Sequence, residues 1–139
     1  MANTYTSAEL AAILKAHADW YYGRVGGTRA VLTGAVLTGA DLTGVPRVEH
    51  IDAAILAAVE AGGKLAMDTW HTCKTTHCRA GWAITLAGEP GAALEARVGP
   101  AAAGSLIYAA SRPGMPVPDF YATNEAALAS MRADAGAAQ

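Results

Sequence analysis

The chain has 139 residues and a formal net charge of -2, with a sequence pI near 6.0. This length is typical of one domain and is enough for a buried core without metals or disulfides. The nearly balanced charge argues against the strongly basic surface on which phosphate-binding proteins depend. The sequence also contains no run of about eighteen apolar residues, so no membrane span is predicted. We therefore expect a single domain over residues 1–139 that binds neither nucleic acid nor membrane.

Alanine dominates the composition: it occupies 34 positions, against one Phe, five Tyr and three Trp. Alanine favours helices but buries little area per residue. The composition therefore predicts a mainly α, compact domain of about five to six closely packed helices, in which a few large side chains supply most of the hydrophobic stabilisation. The predicted core residues are Trp20, Trp70, Trp82, Leu86, Leu94, Leu106, Ile107, Tyr108 and Phe120.

A capping box and an apolar stripe predict the first helix at about residues 7–22. Thr6 lies just before it and Glu9 follows three residues later, which is the spacing at which the two side chains cap the first turn. Positions three and four residues apart then form one apolar face. That face consists of Leu10, Ile13, Leu14 and His17.

An internal repeat follows, since residues 30–44 read Ala-Val-Leu-Thr-Gly twice and then Ala-Asp-Leu-Thr-Gly. This pattern resembles the pentapeptide-repeat family, in which four repeats form one square coil of a right-handed β-helix. Three repeats are less than one coil, so Leu32, Leu37 and Leu42 must pack on the helices, on a second copy or on another partner. Residues 29–45 are therefore predicted to be a pentapeptide-repeat insert, either partial β-helix-like or, in the interpretation we favour, an ordered glycine-rich loop docked on its own domain.

Five more helices are predicted after the repeat, from apolar stripes, from prolines suited to a first helical position and from glycines that stop a helix. They cover about residues 51–61, 75 or 76 to 87, 90–98, 100–111 and 124–133. We expect extended or irregular chain at residues 64–69, a proline-rich loop at 112–118 and a disordered tail at 134–139.

Chemistry is most concentrated in residues 70–82, Trp-His-Thr-Cys-Lys-Thr-Thr-His-Cys-Arg-Ala-Gly-Trp, which hold both cysteines, two of four histidines and two of three tryptophans. The first interpretation is structural. Cys78, Trp82 and Leu86 lie four residues apart and would form the core-facing stripe of a helix capped by Thr75 or Thr76. Free cysteine is among the most buried residue types and packs as a small apolar side chain.

A thiol site is the second interpretation of this motif. A cysteine in the first turn of a helix feels the positive end of the helix dipole, and a neighbouring His lowers its pKa further. Cys78 is predicted near such a position, with Cys73 upstream, so the protein could be a thiol-dependent enzyme or redox protein. The candidate bases are His77, His71, His17 and His50.

A metal site is the third interpretation, because His71, Cys73, His77 and Cys78 are all zinc-ligand types. Structural zinc sites use two ligand pairs separated by a loop, whereas these four residues fall within one short stretch. Adjacent residues of a helix point about 100° apart, which separates His77 from Cys78. We expect neither a metal nor a cofactor.

A recognition surface is the fourth interpretation. His71, Lys74, His77 and Arg79 would line an exposed edge beside the tryptophans. Arginine and aromatic residues are frequent anchors of binding sites. This edge and the three repeat leucines are the predicted binding residues.

The order of the motifs resembles small pentapeptide-repeat proteins encoded by phages and prophages. The likeness rests on the repeat, on Trp-His-Thr-Cys and Thr-Thr-His-Cys-Arg-Ala-Gly-Trp, and on the later Leu-Ala-Gly-Glu and Leu-Ile-Tyr, and it covers about residues 5–132. It implies no catalytic residue. We therefore expect a non-enzymatic accessory protein that binds a protein in the cytoplasm of the bacterial host, with inhibition of a host defence system as one version. A homodimer formed through the repeat is a parallel hypothesis, and a thiol enzyme is the alternative.

Overall fold

Six helices and two very short strands make up the regular structure of residues 4–37, 42, 44–67 and 76–137, which the computed structural model describes. In chain order they are α1 Ser7–Tyr21, α2 Ile51–Glu60, β1 Lys64–Leu65, β2 Thr76–His77, α3 Arg79–Leu86, α4 Gly88–Val98, α5 Pro100–Ser111 and α6 Asn124–Ala137. The predicted mainly helical domain is confirmed. None of the helices in the described residues is both long and apolar enough to cross a membrane.

Local sequence signals set the starts of two helices. At α1 the backbone N–H of Glu9 donates to Thr6 Oγ1 at 3.1 Å, and the N–H of Thr6 donates to Glu9 Oε2 at 2.8 Å. Both bonds of the predicted capping box are therefore formed. Helix α5 begins at Pro100, whose ring is compatible with the first helical position because no N–H is needed there.

Helix α3 begins at Arg79, so the predicted start at Thr75 or Thr76 is wrong. Thr76–His77 forms a parallel pair with Lys64–Leu65 instead, and the N–H of Ala66 donates to the His77 carbonyl at 2.9 Å. Because the backbone before Cys78 is extended in this pairing, Cys78 becomes the N-cap, and its Sγ accepts a hydrogen bond from the N–H of Gly81 at 3.3 Å.

Helix α6 extends to Ala137, so the first part of the predicted tail is helical. Asp134 accepts hydrogen bonds from Arg112 Nη1 at 2.6 Å and from Arg79 Nη2 at 3.3 Å. These tertiary ion pairs hold the end of a helix whose alanine- and glycine-rich sequence indicated fraying. Residues 138–139 lie outside the described residues.

The core is built around α5, against which α3 and α4 pack, while α2 packs on α6 and α1 on α4. A Cβ on Gly104 of α5 would lie 2.6 Å from the Cβ of Ala80, so these small residues allow α3 and α5 to approach closely. The predicted core residues that are buried are Trp82, Leu94, Leu106, Ile107, Tyr108 and Phe120.

Two predicted core residues are exposed instead. Trp20 is 46% exposed and Leu86 37% exposed. Trp20 lies in the last turn of α1 and Leu86 is the last residue of α3, and a residue at a helix end can extend past the neighbour that covers the rest of its face. Trp70, the ninth predicted core residue, lies outside the described residues.

The described part of the repeat packs on the chain's own core. Leu32 and Leu37 are buried, and Leu42 is half-buried against the same cluster. The sequence left open whether these leucines pack on the helices, on a second copy or on another partner. In the structure these side chains pack within their own domain.

Two of the repeats form the same four-residue turn, which begins at the leucine of each repeat. The N–H of Ala35 donates to the Leu32 carbonyl at 3.0 Å, and the N–H of Val45 donates to the Leu42 carbonyl at 3.0 Å. Each turn has a glycine with φ near 80° at its third position, where the left-handed conformation favours glycine. Residues 38–41 and 43 lie outside the described residues, so a partial β-helix coil stays a prediction.

Candidate functional site

Residues 77–82 of the cysteine- and tryptophan-rich motif are buried. His77, Cys78 and Arg79 are 1%, 0% and 1% exposed. The prediction that His77 and Arg79 line an exposed edge is therefore wrong. The His77 ring packs on Trp82, and the Arg79 guanidinium forms an ion pair with Asp52 inside the domain. The remaining predicted site residues of the motif, His71, Cys73 and Lys74, lie outside the described residues.

Cys78 has the environment of a structural thiol. Burial raises the pKa of its thiol, and the hydrogen bonds it receives at the start of α3 do not offset that rise. The adjacent His77 packs edge to face on Trp82, with ring centroids 4.7 Å apart. The Nε1–H of Trp82 donates to the Lys64 carbonyl at 3.0 Å. These contacts fit the interpretation of the motif as core packing better than the interpretation of Cys78 as a nucleophile.

Alkylation tests this assignment directly. In a Cys73→Ser background, we expect iodoacetamide to modify native Cys78 at pH 7.5 roughly 100-fold more slowly than the urea-unfolded chain. The physical reason is that reaction needs an accessible thiolate, and a raised pKa together with burial removes both conditions. Mass spectrometry of timed samples measures the rates. Modification of the native chain as fast as the unfolded chain would contradict the assignment.

The described residues also bear on the metal interpretation. Among them, no three His, Cys, Asp or Glu side chains come together in an arrangement that could hold a metal ion. Of the four ligands considered from the sequence, His77 and Cys78 lie within the described chain, and His71 and Cys73 lie outside it. A four-ligand zinc site stays a hypothesis.

A buried ionic network surrounds Arg79. Its Nε donates to the Tyr108 hydroxyl at 2.9 Å and its Nη2 to Asp52 Oδ1 at 2.7 Å, while the Tyr108 hydroxyl donates to the same Asp52 oxygen at 2.8 Å. Arg112 Nη1 donates to Asp52 Oδ2 at 3.0 Å and to Asp134 Oδ2 at 2.6 Å. Both guanidinium groups lie over the Tyr108 ring, about 5 Å from its centroid. The network joins α2, α3, α5 and α6.

The charges of this network balance, since two arginines face two aspartates. Burial would lower the pKa of Arg79, but Tyr108 and Asp52 outweigh it and the net direction is upward. Burial raises the pKa of the Tyr108 hydroxyl. Neither pKa is shifted toward neutral pH. The network is therefore suited to holding the helices together rather than to acid–base chemistry. The sequence offered one signal for it: Asp52 interrupts the apolar start of α2.

An open groove lies elsewhere, between the end of α1, the outer face of α4 and the start of α5. Its volume is about 790 Å³, within the range of small-ligand and peptide pockets. Four aromatic rings around it are about half exposed: Trp20 46%, Tyr21 46%, Tyr22 48% and Tyr121 55%. The other lining residues are His17, Arg29, Ala92, Glu95, Ala96, Pro100 and Ala101.

Arg29 is the central cation of this groove. Its guanidinium carbon lies 4.9 Å from the ring centroid of Tyr121 and 5.9 Å from that of Trp20. Among the residues that the structure describes, no carboxylate forms an ion pair with Arg29. Two aromatic faces therefore hold the guanidinium, and its N–H groups are available to a ligand.

Backbone contacts fix the loop that carries Arg29. The N–H of Thr28 donates to the Ala16 carbonyl at 2.9 Å, and the N–H of Ala30 donates to His17 Nδ1 at 2.9 Å. A Cβ on Gly27 would collide with the backbone of Trp20, so only glycine lets the loop pass this close to the end of α1.

His17 does not add charge to the groove. Burial and the charge of Arg29 lower the pKa of its imidazole. The ring therefore stays neutral near pH 7 and serves as an acceptor for the loop backbone. The groove combines aromatic surface with Arg29, which forms no ion pair within the described part of the chain, and with Glu95 on the α4 wall.

Sequence reasoning missed this groove although a signal was present. Trp20, Tyr21 and Tyr22 are consecutive, and consecutive helical residues point about 100° apart. Three large rings in a row at the end of a helix cannot all face one core. Such a run therefore indicates that part of the aromatic surface is exposed.

Comparison with known proteins returns no match. The sequence matches no family model, and neither a curated protein nor a solved structure matches it significantly.

Proposed function

We propose that this chain is a non-enzymatic binding protein whose aromatic groove holds a segment of a protein partner. One observation carries the proposal: four half-exposed aromatic rings surround the same open groove. Exposed apolar surface is costly in water and marks interaction sites when it is contiguous. Tryptophan, tyrosine and arginine are also the residues most enriched among those that dominate the energy of protein interfaces.

The interior of the domain supports a binding role over a catalytic one. Cys78, one of the two nucleophiles of the alternative hypothesis, is buried and its pKa is raised. The buried arginines are engaged by carboxylates of the same chain. A thiol-dependent enzyme therefore has no support at Cys78, and its other candidate nucleophile, Cys73, lies outside the described residues.

The biological setting of the proposal comes from the sequence. Because the motifs resemble small phage and prophage pentapeptide-repeat proteins, the proposed partner is a protein of the bacterial host cytoplasm. Inhibition of a host defence system is one version of this role. The burial of Leu32 and Leu37 in the chain's own core counts against a homodimer built on the repeat leucines.

Removal of two groove rings tests the proposed function. We expect the double variant Trp20→Ala/Tyr121→Ala to lose at least about 30-fold in affinity for a partner captured from bacterial lysate, because a single anchor residue of this kind contributes about 2 kcal/mol or more and two anchors are not strictly additive. Quantitative pull-down with the purified partner measures the loss. Both rings are about half exposed, so the fold should survive, which circular dichroism verifies.

The matched control is Leu86→Ala, which removes an exposed apolar side chain that does not line the groove. It should bind the partner as the unmodified chain does. Retention of the partner by the double variant, or failure of the unmodified chain to retain any stoichiometric protein, would refute the groove as the binding site.

A further inference from the structure

We propose that the groove recognises a carboxylate next to an apolar or aromatic side chain in the bound segment, with Arg29 taking the carboxylate. This inference rests on the proposed function, because it assumes that the occupant is a peptide segment of a protein. It adds the chemistry of that segment: an Asp or Glu directly beside a residue such as Phe.

Arg29 supplies the recognition of the acid. Stacking against Trp20 and Tyr121 restricts the guanidinium, so little side-chain entropy is lost when a ligand binds its N–H edge. An arginine fork matches both oxygens of a carboxylate in one plane.

The other charged groups near the groove do not compete for this role. Arg24 lies over Tyr22, but its Nη1 is paired with Asp19 at 2.9 Å, and Lys15 pairs with the same carboxylate at 3.0 Å. His17 is neutral near pH 7 because burial and Arg29 lower its pKa. Among the described groove residues, Arg29 is thus the cation that can form an ion pair with a bound ligand.

The aromatic rings supply the recognition of the neighbouring side chain. Tyr21 packs against Gly99 at the junction of α4 and α5, where a Cβ would lie 2.7 Å from its ring. This contact fixes one ring, and Tyr22 meets it edge to face with centroids 5.1 Å apart. An apolar or aromatic side chain placed between these rings and Trp20 buries its surface without displacing the arginine.

Short synthetic peptides test the inference on the full chain. The probe is the acetylated, amidated hexapeptide Gly-Ala-Asp-Phe-Ala-Gly, compared with the same peptide carrying Asn for Asp or Ala for Phe. We expect calorimetry to show that each replacement weakens binding about tenfold or more. Arg29→Ala should abolish the difference between the Asp and Asn peptides, whereas Arg24→Ala should preserve it.

The outcomes separate this inference from the proposed function. Equal binding of the Asp and Asn peptides would overturn the carboxylate inference and leave the groove as a protein-binding site. Absence of binding by every peptide at about 1 mM would also overturn it, while the proposed function would still be decided by the double variant and the captured partner. An oligoadenylate that bound the groove more tightly than all the peptides would overturn both.

Discussion

Replacing Arg79 with Met is expected to lower the free energy of unfolding by about 3–5 kcal/mol. The substitution leaves the Asp52 carboxylate buried without its closest cation, Nη2 of Arg79 at 2.7 Å. It also removes the donor to the Tyr108 hydroxyl. Urea denaturation followed by circular dichroism measures the change. The matched control is Arg24→Met, which breaks an exposed ion pair with Asp19 and should leave the unfolding midpoint nearly unchanged.

A double variant shows whether the loss comes from an uncompensated charge. Adding Asp52→Leu to Arg79→Met removes the buried carboxylate, and part of the lost stability should return, because an apolar pair of similar size can replace a buried ion pair. A single variant Arg79→Met as stable as the unmodified chain would show that Arg112 alone compensates the Asp52 carboxylate and that the Arg79 contacts do not stabilise the fold.

Trp82→Ala is expected to cost about 3–5 kcal/mol, since a large buried side chain would leave a cavity. Its ring lies against Gly63, where a Cβ would come within 2.6 Å, and against His77. Its removal also leaves the Lys64 carbonyl without the indole donor. Thermal unfolding at several urea concentrations measures the loss.

Two further variants show which contacts of Trp82 account for the lost stability. Trp82→Phe keeps most of the ring contact and should lose less, because mainly the hydrogen bond is removed. Trp20→Ala removes a tryptophan that is half exposed and should destabilise the fold far less. Equal losses for Trp82→Ala and Trp20→Ala would contradict the view that the motif around Trp82 is interior packing.

Much of the helical layout could be predicted because its signals are local. The capping box of Thr6 and Glu9 and the proline at residue 100 act within one turn, so the sequence alone places the starts of α1 and α5. The start of α3 could not be placed in this way. Its extended lead-in depends on pairing with Lys64–Leu65, and no signal near residue 76 encodes that partner.

The candidate site was predicted less well than the fold. The sequence singled out residues 70–82 as the place for chemistry, and residues 77–82 of that motif are buried in the domain. The groove instead joins residues of α1, the loop carrying Arg29, α4, the start of α5 and the loop carrying Tyr121. Only the run of three aromatics at residues 20–22 pointed to it.

By itself the sequence determined a mainly helical domain, because helix propensity and capping act between residues no more than about four positions apart. Tertiary structure alone decided which charges are buried and which rings face water. Arg79 and Asp52 are 27 positions apart, and Tyr108 and Asp52 are 56 apart. A charge can be buried only where such distant partners meet, and a tryptophan at a helix end is covered only if a neighbouring element reaches it.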